Sequence, residues 1–194
     1  MVIKRKDALE DVIKMANGGK LYMTSSTDSL ENMKELADDA LKAFESSPTL
    51  TNRLDMLYND ADYRFAKGER EKVAEDLKAA VDSIVEMTNN PDCLLKWMDL
   101  LSLHTEILLT VNRPKEALVY ANRVMEIGEG HFFNTLEYAY CEELYATVQS
   151  VLGDFDEAKA FYQDSLGRFK EETTQARQMM DNIQHNLNSI DGKD

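Results

Sequence analysis

One local pattern recurs along the 194-residue chain and limits what it can fold into. A turn residue is followed five positions later by a small or short apolar one: Gly68 by Val73, Asn112 by Ala117, Gly153 by Ala158. The steps from Val73 to Ala117 and from Ala117 to Ala158 are 44 and 41 residues. Seven residues before each turn stands another small residue, Ala61, Thr105 and Ala146. Small side chains there let two helices approach until their neighbours mesh as ridges in grooves. Seven to eight residues past the second small residue come Ala80-Val81, Val124-Met125 and Ser165-Leu166, placed to pack on a following hairpin. The pattern describes a helix–turn–helix unit used three times. An unrelated bundle with short loops is the alternative, and it would not require such regular spacing.

The remaining turn signals divide the chain into eight expected helices joined by short connections, which force consecutive helices into antiparallel hairpins. Residues 3–16 form a short helix that stops at Asn17-Gly18-Gly19, and 17–27 is the least structured stretch. Asp28 and Glu31 suit a capping box, in which the first side chain bonds an orphan N–H and the second reaches back. A helix then runs to about Ser46, before Pro48, and the next covers roughly 50–66. Another covers 70–88. Asn90-Pro91 provides a cap and first residue for a helix reaching Val111. Asn112-Arg113-Pro114 opens one that ends at Gly128-Glu129-Gly130, and 133–151 follows. Asp154 and Glu157 repeat the capping-box pattern, and one last helical run extends to about Ile190.

These features resemble the tetratricopeptide repeat, a helix-turn-helix unit of about 34 residues with small residues at its helix contacts. Ala146, Gly153, Ala158, Tyr162 and Leu166 match its pattern well, and Ala61, Gly68 and Ala80 match in part. The middle copy departs from it, with Asn112 in place of the turn glycine and Ala121 where the third copy has Tyr162. The long period is similar to the longer-helix variants of bacterial signalling and transcription-regulator proteins. The resemblance implies an all-α, right-handed superhelical array of antiparallel hairpins, an α-solenoid of about eight helices forming a single domain over 1–194. Residues 1–49 would be a degenerate N-terminal hairpin, 50–170 three repeats, and 171–190 a C-terminal capping helix. The stripe Ala176, Met180, Ile183, Leu187 and Ile190 suits such a cap, with a homodimer seam as the alternative.

Charged residues make up 30% of the chain and its net charge is −14. Residues 1–27 carry Lys4, Arg5, Lys6, Lys14 and Lys20 against Asp7, Glu10 and Asp11, a balance of +2, so the remainder carries −16. Such a field repels nucleic acid and anionic membrane and attracts basic partners. No apolar run is long enough to span a bilayer, and the N-terminus lacks an apolar signal core, so the expected location is cytoplasmic. Cys93 and Cys141 lack metal or redox spacing and read as separate reduced thiols. His104, His131 and His185 stand apart; His104, mid-helix where the third copy has Tyr145, reads as a packed interior histidine. No phosphate-binding glycine motif, metal-ligand cluster or nucleophile elbow is present, so neither an enzyme nor a cofactor is expected. The acidic pairs Asp38-Asp39 and Glu142-Glu143 read as solvated helix faces.

In the tetratricopeptide family, the first helix of each pair lines a concave face. The resemblance carries that role here to Asp55, Tyr58, Asp62 and Phe65, then Asp99, Ser102 and Glu106, then Tyr140, Glu143 and Thr147. Five of these ten are acidic and none is basic. Family members that clamp the C-terminal carboxylate of chaperone tails use Lys, Arg and Asn there, and this sequence departs from that pattern. The expected function is a non-catalytic protein–protein interaction scaffold. Its groove would take a basic or amphipathic protein segment, with Tyr58 and Tyr140 as anchors. The alternative is a sensory or oligomerisation segment of a larger bacterial regulator.

Overall fold

The computed structural model describes residues 29–84, 90–133, 135–168 and 174–191, of which 174–179 and 191 are described by backbone alone. Among these residues the protein is all-α. The eight helices are α1 (Leu30–Ser46), α2 (Leu50–Ala66), α3 (Arg70–Asp82), α4 (Pro91–Thr110), α5 (Pro114–His131), α6 (Leu136–Leu152), α7 (Phe155–Arg168) and α8 (Thr174–Asp191). The expected helix at 3–16, the segment 17–27, Asp28 and residues 85–89 lie outside the described residues, as does the side chain of Ala176.

The three hinges are alike in detail. Gly68 and Gly153 have φ of 89° and Asn112 has φ of 60°, the left-handed conformations of the described backbone. After each, the next amide donates five residues back: Glu69 to Arg64, Arg113 to Leu108, Asp154 to Gln149, at 3.1, 2.8 and 3.0 Å. The hinge amides themselves donate three residues back, to Phe65, Leu109 and Ser150. This double closure satisfies carbonyls that a helix end otherwise leaves open. Asn112 is therefore no defect in the middle copy. Asparagine is among the few non-glycine residues that tolerate the left-handed region. The small residues flanking each hinge, Ala61 and Val73, Thr105 and Ala117, Ala146 and Ala158, are all buried. Thr105 places a hydroxyl where its counterparts have none, and Oγ1 donates to the Leu101 carbonyl at 2.8 Å.

Other local expectations shift. Ser29 caps α1: its Oγ accepts from the Asn32 amide at 3.2 Å. Asn90 caps α4 as expected, accepting from Asp92 and Cys93, with Pro91 following. Helix α3 ends at Asp82, short of residue 88. Gly128 and Gly130 do not stop α5, which continues to His131. At Gly128 a Cβ would lie 2.8 Å from Cys141 Sγ and 2.9 Å from Tyr138 Cδ2, so glycine there serves close helix approach. Helix α6 begins at Leu136, three residues after the expected start. The final run is two helices, α7 and α8. At α7 only half of the capping box forms: Asp154 Oδ1 accepts from the Glu157 amide at 3.5 Å. The Glu157 carboxylate turns instead to Tyr145 and Gln149, accepting at 3.0 and 2.9 Å.

The chain divides into two compact units, one ending at Ala117 and the other beginning at Leu118, one turn into α5. In the first, α1 packs on α2, and α4 packs on both α2 and α3. Leu54, Ala74, Leu77, Leu100 and Leu101 form its apolar interior. Arg64 bridges Asp60, Glu69 and Asp76 across the α2–α3 hairpin. Arg113, just past the left-handed Asn112, pairs with Glu75 and Glu116, and Glu116 also takes Lys78 at 2.8 Å. In the second unit α6 and α7 form a close hairpin and α8 packs on α7. Ile183, Leu187 and Ile190 of the C-terminal stripe are buried within the chain. No described helix is long and apolar enough to cross a membrane.

Candidate interaction sites

In the first unit, seven of the sequence-predicted residues lie on α2 and α4. Tyr58 is the centre of the group. Burial raises its phenol pKa, and Asp62, Glu106 and Asp99 raise it further, because each carboxylate disfavours a phenolate nearby. The phenol is thus neutral, in the field of three carboxylates. Asp99 is exposed and Ser102 half-buried. Asp62, Glu106 and Phe65 are buried, against the expectation of an outward face. The Arg70 guanidinium lies 5.2 Å from the Phe65 ring centroid. Asp55 is engaged from the next repeat, where Lys96 Nζ bonds both of its carboxylate oxygens. Lys96 was missed by the sequence reading, although it stands one helical turn before Asp99 and so on the same face.

The second unit holds the other three. Tyr140 is half-buried, and burial, Glu137 and Glu143 raise its pKa in that order. Glu143 and Thr147 are not groove residues open to solvent, being 1% and 2% exposed. Thr147 Oγ1 donates to Glu143 Oε1 at 3.4 Å and lies 2.9 Å from the Tyr162 hydroxyl. Burial pushes the Glu143 carboxyl up to about 7, the Thr147 hydrogen bond opposing it.

The acidic pair Glu142-Glu143 is thus wholly interior, correcting the solvated-face reading, whereas Asp38 and Asp39 are exposed as expected. Burial raises Glu142 too, but it has a counter-ion: Arg168 Nε donates to Oε2 at 2.8 Å. The same guanidinium donates to the Phe133 carbonyl and lies 4.7 and 4.6 Å from the Phe133 and Tyr138 ring centroids. Arg168 clamps the start of α6 to the end of α7. His104 is completely buried, and desolvation, the largest influence, lowers its pKa to about 4, so it is neutral at physiological pH. Cys93 and Cys141 are buried free thiols. Among the described residues, no group of three or more His, Cys, Asp and Glu side chains could hold a metal ion.

Comparison with family models, curated proteins and solved structures returned no match.

Proposed function

We propose that this chain is a tetratricopeptide-like interaction module, and that its first unit takes a basic or amphipathic segment of a partner protein at Tyr58. The observation that carries this reading is the half-buried Tyr58 lying in the field of Asp62, Glu106 and the exposed Asp99. A Lys or Arg tip placed over the ring gains from the ring's negative face and from the neighbouring carboxylates. The ring offers contact area at little entropic cost, as anchor residues at interfaces do. The net charge of −14 steers a cationic segment toward the protein and disfavours nucleic acid.

The test is titration of the purified protein with Lys/Arg-rich amphipathic peptides and with charge-inverted controls. The basic peptides are expected to bind and the controls not to, with affinity falling as salt rises. Asp99→Lys, at an exposed position, is expected to weaken binding roughly five- to tenfold, and Tyr58→Ala by about tenfold or more. Equal binding of both peptide classes, or unchanged affinity in both variants, overturns the reading.

A further inference from the structure

The second unit contains a buried hydrogen-bond chain that the peptide site does not use. It begins at Asn186 on α8, whose Nδ2 donates to the Tyr162 hydroxyl on α7 at 3.1 Å. That hydroxyl lies 2.9 Å from Thr147 Oγ1 on α6. Thr147 bonds Glu143 Oε1 one turn earlier on the same helix. All four side chains are buried. The two ends set the proton directions, since an amide nitrogen only donates and the carbonyl oxygen of a carboxyl only accepts. Tyr162 accepts from Asn186 and donates to Thr147, which donates to Glu143. Only one end of this chain can change charge near neutrality. Glu143 Oε1 holds a single long bond, and Oε2 accepts none from the described residues. A charge so weakly supported is costly in an interior.

We propose that Glu143 is a proton-operated latch on α8: the protonated side chain keeps the C-terminal helix docked on α7, and loss of the proton favours release, which admits water to the carboxylate. The ionisable groups around it do not oppose this. From α6 the neighbour is Tyr140 and from α7 it is Tyr162, both phenols that burial holds neutral. From α8 comes the uncharged amide of Asn186. Glu143 titrates near 7 through desolvation, with no charged group of the described residues contributing. If release returns it to its ordinary value of 4.5, linkage favours the open form by about tenfold more at about pH 8 than at about pH 6.

Hydrogen exchange of the full chain tests the latch, followed in peptides covering 180–191 at about pH 6 and about pH 8, after division by the intrinsic rate at each pH. Protection of α8 is expected to fall about tenfold at the higher pH in the native protein. Glu143→Gln keeps the shape without the charge, and its α8 protection is expected to be the same at both pH values. Should that variant fail to fold by circular dichroism, Glu143→Leu carries the same expectation. A native protein with no pH-dependent loss, or an uncharged variant that keeps the loss in full, overturns the proposal.

Discussion

Tyr58 and Glu143 occupy the same repeat position, each ten residues before its hinge glycine, and their surroundings reverse their roles. In the first unit the phenol is half-buried, and burial first, then nearby carboxylates, raise its pKa. In the second unit the carboxylate holds that position, completely buried, and the phenol reaches it from the second helix through Thr147. Asp62, four residues after Tyr58, has Thr147 as its counterpart, so acid and hydroxyl are exchanged between copies. One backbone frame thus produces an acidic, partly open cluster in one unit and a closed polar chain in the other. The frame prescribes which residues meet. It does not prescribe whether water reaches them.

The largest test of that contrast is a charge at the shared position. Glu143→Lys is expected to destabilise the protein by roughly 3–5 kcal/mol in urea denaturation, because a buried ammonium would have no counter-ion. Asp99→Lys, on the exposed rim of the Tyr58 cluster, is expected to cost less than about 0.5 kcal/mol. Similar losses at both positions would break the comparison.

The pH dependence comes next. Glu143 titrates near 7 in the folded protein against an ordinary 4.5. The folded state therefore holds the proton more tightly. Its favourable contribution is full below about pH 4.5 and is lost as pH rises through about 7, a change of up to about 3 kcal/mol. Denaturation midpoints measured across this window should fall with rising pH, and Glu143→Gln should flatten the fall. Tyr58 titrates too far above this range to add a slope.

A smaller effect is expected at Arg168. Removing it with Arg168→Ala leaves Glu142 buried without its cation, and the pair's partial exposure limits the cost to about 2 kcal/mol. Arg168→Lys should recover part of this, since an ammonium cannot bridge the carboxylate and the Phe133 carbonyl as a planar guanidinium does. The hinges give the smallest changes. Gly68→Ala and Gly153→Ala should each cost about 1 kcal/mol, because an L side chain is strained at that φ. Asn112→Gly should be neutral or stabilising by a few tenths of a kcal/mol, roughly the left-handed penalty that asparagine still carries. A destabilising Asn112→Gly would show that the middle hinge differs from its neighbours.

Much of the fold was legible because helix ends are local chemistry. The helix end at Ser46, the bounds of the helix ending at Ala66, the Asn90-Pro91 start and the three hinges all depend on residues within one turn of the event. Where the sequence reading failed, the deciding partner lay far along the chain. Gly128 read as a helix stop, yet it faces Cys141 and Tyr138 of the following helix. Glu157 read as a capping residue, yet its carboxylate is claimed by Tyr145 and Gln149. Glu142-Glu143 read as a solvated face, and the groups that enclose it, Arg168, Tyr162 and Asn186, belong to later helices. The candidate site was legible to the same degree. Position in the repeat named its residues, and could not tell Asp99, which meets water, from Asp62 and Glu106, which do not.

By itself, the sequence determined where this chain bends, which helix faces are apolar and how much negative charge they carry. Those follow from backbone sterics at the hinges and from side-chain spacing along a helix. The tertiary structure alone decided which acids meet water and which are interior, and that Glu143 among them holds a proton near neutrality. That difference is a matter of solvation: a carboxylate's pKa depends on the water and partners left to it once every helix has packed.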